Sequence, residues 1–250
     1  MSDAQAIENR WGEGHRPLVS FRIVTNPPRL PGDIVRRFVD YFLPDIADRV
    51  GQLYVMDAGV HPLYAPMARV VGSALTVKIA PGDNSVVKRA LQMVRAGDVL
   101  VVDARGHTDT CAGGAAALVP AIHAGLAGVV VDGAWRDVAE LQAVGFPVFG
   151  RGVSPYSGPK QRPGEINVPV CCGGVVVNAG DIVVADVEGA VVVPARYAAE
   201  VADSLKVYQR PESLADFDRD RASRLNEERD QWFELHFRSR DGVYLDWSER

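Results

Sequence analysis

One stretch constrains the fold more than any other: residues 110–137, Thr-Cys-Ala-Gly-Gly-Ala-Ala-Ala-Leu-Val-Pro-Ala-Ile-His-Ala-Gly-Leu-Ala-Gly-Val-Val-Val-Asp-Gly-Ala-Trp-Arg-Asp. It reads in order as a small-residue loop, a helix, a buried strand, a turn and a paired cation and anion. Val129, Val130 and Val131 make an apolar, β-branched run suited to a strand covered on both faces. Asp132-Gly133 is expected to end that strand, since glycine accepts turn dihedrals. Arg136 and Asp137 would then stand where a strand's C-terminal end gives way to a helix. In α/β sheets that is where ligands bind.

The residue types there suggest chemistry. Gly113-Gly114 precede a helix-forming alanine run, so their backbone N–H groups could face an anion at a helix N-terminus. Arg136 offers a planar, permanently charged fork suited to a carboxylate. Asp137 is a hard oxygen ligand suited to Mg²⁺ or Mn²⁺. The alternative is a solvated pair in a first helical turn, where the helix dipole favours an aspartate.

Around this stretch the pattern is mixed α/β. Residues 1–32 contain Pro17, Pro27, Pro28 and Pro31 and read as an irregular arm, suited to packing on a neighbouring subunit. Asp33 is expected to cap a helix with Val35, Phe38, Val39 and Phe42 as its apolar stripe. Ser73–Ile79 and Val99–Val102 read as strands. Pro81-Gly-Asp-Asn84 lies between them as a loop in which Asp83 or Asn84 caps the next helix. Asp103–Thr110 reads as a polar loop bordering the same cleft, which makes Asp103, Arg105 and His107 second-rank site candidates; His107 is suited to acid–base work. Pro120 implies that the helix after Gly114 begins late or kinks. Residues 151–167 carry Arg151, Lys160 and Arg162 and could cover a site. Short strands after Pro169 imply an antiparallel β layer. Dense alternating charge over 212–240 reads as an exposed helix, with Trp232, Phe233, Leu235 and Phe237 as docking residues. The organisation expected is an arm (1–32), one α/β domain (33–210) and a helical extension (211–250).

Bulk properties exclude several classes. A net charge of −5 carries no nucleic-acid footprint. No apolar run approaches the roughly 20 residues of a membrane span, and the polar start has no signal-peptide core. Three cysteines, two adjacent, make no disulfide framework and fit a reducing cytoplasm. Cys111 lies beside the proposed anion loop, but no base is placed to activate it, so packing is its expected role.

Gly128-Val-Val-Val-Asp-Gly-Ala-Trp-Arg-Asp137 resembles the signature of the RraA-like family, which includes class II pyruvate aldolases acting on 4-hydroxy-4-methyl-2-oxoglutarate and 4-carboxy-4-hydroxy-2-oxoadipate. Pro81–Asn84, Ala96–Asp103, Gly145–Phe149, Val168–Val175, Ala179–Asp186 and Gly189–Pro194 fit the family in the same order, so the resemblance covers about residues 40–210. It implies a compact α/β/β/α sandwich with a central β layer, of the swivelling β/β/α kind, assembling as a homotrimer or hexamer with sites between subunits. It implies a small anionic oxo-acid substrate whose carboxylate is held by backbone N–H groups of Gly113, Gly114, Ala115 and Ala116, and a divalent metal, Mg²⁺ or Mn²⁺, at Asp137, with Arg136 binding substrate and neutralising the developing pyruvate enolate. Retro-aldol cleavage and oxaloacetate decarboxylation both pass through that enolate. Two departures stand out. Ala115 occupies the position of the family's acidic residue after the loop glycine, and Glu212 is a poor match for a glutamate the family takes from a neighbouring subunit. The family also contains a non-catalytic regulator of ribonuclease E, which lacks the acid of the Arg-Asp pair. A regulator of that kind, or a metal-dependent enzyme on another carboxylated substrate, is therefore the alternative reading.

Overall fold

The computed structural model describes residues 21–207 and 219–240. The chain divides at Val207–Tyr208 into two units. In the first unit β1 is Arg22–Ile23, β2 His61–Pro62, β3 Val70–Ile79, β4 Asp98–Cys111, β5 Gly128–Trp135, β6 Val148–Val153, β7 Gly164–Ile166, β8 Val170–Cys172, β9 Val175–Val177, β10 Ile182–Asp186 and β11 Gly189–Val193. Its helices are α1 Gly32–Arg37, α2 Leu43–Val50, α3 Ser85–Leu91, α4 Ala115–His123, α5 Val138–Ala143 and α6 Ala198–Ser204.

The core of the sheet is parallel. Strands β3, β4, β5 and β6 lie side by side, each parallel to the next. The connections β3–α3–β4, β4–α4–β5 and β5–α5–β6 put three helices over one face, as parallel strands require crossovers. The strands carry Val99–Val102 and Val129–Val131, all fully buried, because both faces are covered. Period-two alternation then divides them. Leu100, Val102, Val129, Val131 and Trp135 pack under α3, α4 and α5 with Val86, Leu118 and Leu141. Val99, Val101 and Val130 turn the other way, onto Val170, Cys172, Val175 and Val177 of the β8–β9 hairpin and onto Val183 and Val192 of the β10–β11 hairpin. That second β layer is closed outside by α1, α2 and α6. Phe38, Ile46, Val201 and Ala202 pack there on Ile182, Val184, Val191 and Val193. The result is the four-layer α/β/β/α sandwich. Strand β10 joins the layers by pairing antiparallel with the first half of β3, while β7 pairs with its last residues.

Several local expectations are corrected. Strand β5 does not stop at Asp132-Gly133 but runs to Trp135, because the Asp132 carboxylate is neutralised by Arg151 within the sheet. Residues 103–110 are not a free loop. They continue β4 through a bulge in which Arg105 (φ 57°) and Gly106 (φ 72°) take left-handed dihedrals, after which pairing resumes at His107 and Cys111. Asp33 lies in the first turn of α1, but the N-cap is Pro31; Phe38 is buried, and Val39 is exposed. Helix α4 starts at Ala115 and keeps Pro120 inside it. The described part of the arm packs on its own chain: β1 pairs with β7, and Arg29 forms a buried ion pair with Asp98 (Nη2–Oδ2 2.8 Å).

The second unit contains α7, Arg219–Arg238. On it Trp232 stacks on His236 and Phe233 on Phe237, with ring centroids 4.0 and 5.4 Å apart. Trp232, Phe233 and Leu235 are exposed. No described helix is long and apolar enough to cross a membrane.

Candidate functional site

Strand β5 delivers Arg136 and Asp137 at its C-terminal end, and α4 presents its N-terminus to them. Arg136 N–H donates to the Gly113 carbonyl at 3.1 Å, which ties the strand's end to the small-residue loop. Both glycines are required there. A side chain at Gly113 would strike the Trp135 ring, and one at Gly114 would collide with Arg136 Cγ and the Asp137 carboxylate. Asp137 is the N-cap of α5 in a left-handed conformation (φ 58°, ψ 36°), which a non-glycine residue adopts at a cost. Its carboxylate does not cap its own helix. It turns back, and Oδ2 accepts the Ala115 N–H at 3.0 Å.

This geometry leaves groups unmatched. Arg136 Nε lies 3.6 Å from Asp137 Oδ2, yet it is buried without a hydrogen bond. Asp137 Oδ1 has no protein partner among the described residues. Of the four loop N–H groups expected to meet an anion, that of Ala115 is engaged by Asp137. Those of Gly113, Gly114 and Ala116 have no partner among the described residues, as befits a helix start.

These groups open into a cavity of about 700 Å³. Its walls come from α3 and its C-cap (Val87, Lys88, Leu91, Gln92), α4 (Ala116, Ala117, Pro120), the Gly113-Gly114 loop, Ser157 and Lys160. The size lies within the range for small-molecule sites. Pro120 lacks the N–H that would bond the Ala116 carbonyl, so the α4 wall carries a broken helical hydrogen bond.

Two wall residues had no functional expectation attached: Asn84 and Ser157. Asn84 caps α3 by position, with no side-chain cap bond; its Nδ2 donates to Ser157 Oγ at 3.1 Å. Asp83 is the structural member of the motif. Its Oδ1 accepts from Ser85 N and Oγ, and its Oδ2 from the N–H groups of Gln161 and Arg162, at 2.6–2.9 Å. Burial alone would raise its carboxyl, but these donors together hold it below the usual carboxylate range. The clamp fixes the 157–162 loop, and with it Ser157 and Lys160, against α3.

The comparisons with known proteins agree on one family. The RraA-like model, described as Aldolase/RraA, matches residues 43–192. The chain belongs to the RraA-like family. A Halalkalibacterium halodurans protein provisionally named 4-hydroxy-4-methyl-2-oxoglutarate aldolase is 38% identical over 162 residues, 65% of this chain and 77% of that one. A 4-hydroxy-4-methyl-2-oxoglutarate aldolase of Thermus thermophilus is 35% identical over 127 residues, 51% of this chain and 77% of that one. Among solved structures, Streptomyces coelicolor RraAS2, described as an unusual member of the RNase ES inhibitor RraA family, superposes with a TM-score of 0.65 at 33% identity, covering 72% of this chain and 93% of that one.

Within this RraA-like fold the second-rank candidates lie elsewhere. Asp103 sits beside Asp132 in the β4–β5 register, and Oδ2 accepts the Cys171 N–H of the β8–β9 hairpin (3.2 Å); it belongs to the opposite face of the sheet from the cavity. Arg105 occupies the bulge. His107 Nε2 is 3.1 Å from Thr110 Oγ1 and does not line the cavity. Glu212 lies outside the described residues. Of the three cations in 151–167, only Lys160 reaches the cavity. Arg151 is bound by Asp57 and Asp132, and the Arg162 guanidinium meets the Pro81 carbonyl at 3.3 Å. Cys111 is buried under the site, and burial raises its thiol above the ordinary range, as a packing role requires.

Proposed function

We propose that this RraA-like protein is a divalent-metal-dependent carbon–carbon lyase that cleaves a small oxo acid through a pyruvate enolate, by retro-aldol cleavage, oxaloacetate decarboxylation or both. One observation carries the reading. Asp137 is held in a strained backbone conformation with one carboxylate oxygen tied to the α4 N-terminus and the other unpartnered, beside an Arg136 whose Nε is unsatisfied.

The donor set fits a hard cation bound mostly by water and substrate. The described residues contain no group of three or more His, Cys, Asp or Glu suited to a metal. A single hard carboxylate is sufficient for Mg²⁺ or Mn²⁺ where waters and substrate oxygens complete the shell. Bound at Asp137, the ion would supply Lewis-acid polarisation of the substrate oxygens. The protein's own groups do the rest. The Arg136 fork faces the developing oxyanion. The N–H groups of Gly113, Gly114 and Ala116 hold the substrate carboxylate. Ala115 contributes no acid, so proton transfer falls to water or to the polar wall residues. The trimeric or hexameric assembly belongs to the same proposal, and sedimentation velocity reads it.

Ala115 allows a metal-dependent enzyme on another carboxylated substrate, which Mg²⁺ binding without turnover on these acids would indicate; the reading set against the lyase is a protein-binding regulator without catalysis. Pyruvate release from oxaloacetate and from 4-hydroxy-4-methyl-2-oxoglutarate, with Mg²⁺ or with EDTA, separates the two. Metal-dependent turnover in the wild type that is lost in Asp137→Ala supports the lyase. If neither turnover nor Mg²⁺ binding is detected, the enzyme reading fails.

A further inference from the structure

The first halves of β3 and β4 frame a second pocket, of about 400 Å³. It lies at the opposite end of the parallel sheet from Arg136 and Asp137, and it shares no residue with the cavity there. Three arginines from three segments line it: Arg29 of the arm, Arg36 of α1 and Arg95 of the turn before β4. The Asp98 carboxylate is buried beside them and already saturated. Arg29 holds both of its oxygens, and Arg95 N–H donates to Oδ2 at 2.8 Å. Asp33 and Asp40 flank α1 but line no part of the pocket.

Two of the three guanidinium groups are thus left without an anion. Arg95 Nη2 donates to the neutral Asn26 amide oxygen at 3.2 Å, and the guanidinium has no carboxylate among the described residues. The Arg36 guanidinium has neither a hydrogen bond nor an ion pair among the described residues. It folds back over Gly32, another wall residue, where a Cβ would stand 3.3 Å from Nη1. The floor adds a hydroxyl. Val71 and Ser73 fall on one face of β3 by its period of two, and both line the pocket. Ser73 is 7% exposed, and its hydroxyl has no partner among the described residues, yet it is not among the polar atoms sealed from solvent. Buried hydroxyls are normally paired, so an unpaired one at the foot of a cationic pocket suits a ligand oxygen. Leu30, Val35 and Val71 make the rest of the lining apolar. A few polar groups on apolar walls are the usual make-up of a small-molecule site.

We propose that this pocket binds a small amphipathic organic anion. Arg36, Arg95 and the Ser73 hydroxyl hold its carboxylate or phosphate head, and its apolar body lies against Leu30, Val35 and Val71. Guanidinium forks match both kinds of head. Recognition is local, because a chain of net charge −5 has no general attraction for anions. The site stands apart from the lyase reading and does not depend on it.

The test is calorimetric titration of the full chain in EDTA with benzoate, phenyl phosphate, inorganic phosphate and benzamide. Benzoate or phenyl phosphate should bind with a single equivalent per chain, the tighter of the two identifying the head. Benzamide, which keeps the ring and loses the charge, should not bind. Arg36→Gln combined with Arg95→Gln should weaken binding about tenfold or more. Both residues are exposed, so the melting temperature without ligand should hold. Ser73→Ala should weaken binding about threefold or more without loss of stability, because the hydroxyl it removes has no partner to lose. Arg136→Gln should bind as the wild type does, whether or not the first cavity is a lyase site. Failure of both aromatic anions to bind, affinity unchanged in the double variant, or binding lost with Arg136→Gln overturns the proposal. Inorganic phosphate binding as tightly as phenyl phosphate overturns its apolar part.

Discussion

Strand β5 and its exit hold two aspartates five residues apart, each beside an arginine, and the two pairs are built in opposite ways. Asp132 is buried against Arg151 Nε, and its second oxygen accepts the Gly173 N–H at 3.3 Å. Arg151 is saturated further by both oxygens of Asp57, at 2.9 and 2.7 Å. Asp57 first and Asp132 with it hold the guanidinium above its usual range, and the same contact lowers the Asp57 carboxyl. At the other pair, Arg136 Nε and Asp137 Oδ2 stand 3.6 Å apart without a hydrogen bond. One pair joins β5, β6, the Asp57 loop and the β8–β9 hairpin into a closed network. The other is held apart by a strained N-cap and faces a cavity. Residue types alone do not distinguish the two. What distinguishes them is whether the fold completes the pairing, and the incomplete pair is where a ligand has something to add.

That contrast is broken most sharply at Asp137. Asp137→Asn keeps the shape and a residue type tolerant of left-handed dihedrals, but removes the charge. The expected loss of turnover is about a thousandfold, with the melting temperature moved by only a few degrees; steady-state pyruvate release and calorimetric melting read the two quantities. Asp132→Ala should show the reverse. It leaves Arg151 without its buried partner, and breaking such a pair costs about 3 kcal/mol. Urea denaturation measures that loss, and kcat below the melting transition should stay near the wild-type value. A large loss of turnover in a folded Asp132→Ala would merge the two sites and end the distinction.

The sequence carried the layers better than it carried the ends of elements. Val99–Val102 and Val129–Val131 are legible as buried strands because β-branched runs have few other uses in a soluble domain. The continuation of β5 through Asp132-Gly133 is not legible, since the group that makes a buried aspartate tolerable is Arg151, nineteen residues away and on another strand. Arg136 and Asp137 could be singled out because they adjoin in sequence at a strand's exit. Asn84 and Ser157 could not, being 73 residues apart and paired only by the fold. Within Pro81–Asn84 both polar residues look like caps. The structure gives Asp83 the loop and Asn84 the cavity, a division that depends on where residues 157–162 return. Pro120 left a late start or an interior kink equally open in sequence, and the structure places it inside α4, at the wall of the cavity.

Gly113 tests how far the open site depends on close packing beneath it. A methyl group there meets the Trp135 ring, which is fully buried and cannot withdraw. Overpacking of this kind costs about 1–3 kcal/mol. The strain should be relieved by moving the loop, so Gly113→Ala should lose both stability and turnover, whereas Gly152→Ala, with open space around the added methyl, should lose little stability. Paired thermal melts and pyruvate release separate the two. Equal behaviour of the two variants would mean that the loop is not braced by Trp135.

The smallest effect expected is an acid one, and it distinguishes the cavity's clamp from the closed network. The Asp83 and Asp57 carboxyls are both held below the ordinary range. A depressed folded pKa contributes stability that is complete above the unfolded value of about 4 and is lost as pH falls through the folded value. Stability should therefore be flat from neutral pH down to about 5 and fall below about 4. Asp83 is buried and binds four donors, so Asp83→Asn should be less stable at neutral pH and should lose part of the acid dependence. Asp57 is half exposed, so solvent screens its pair with Arg151 and Asp57→Asn should change the profile less. Hydrogen exchange locates the event: as pH falls below about 4, the amides of Gln161 and Arg162, which Asp83 holds, should lose protection. If those amides stayed protected down to global unfolding, the Asp83 carboxylate would not be what clamps the 157–162 loop, and the unmatched pair at Asp137 would have to be explained by something other than the rigidity of its surroundings.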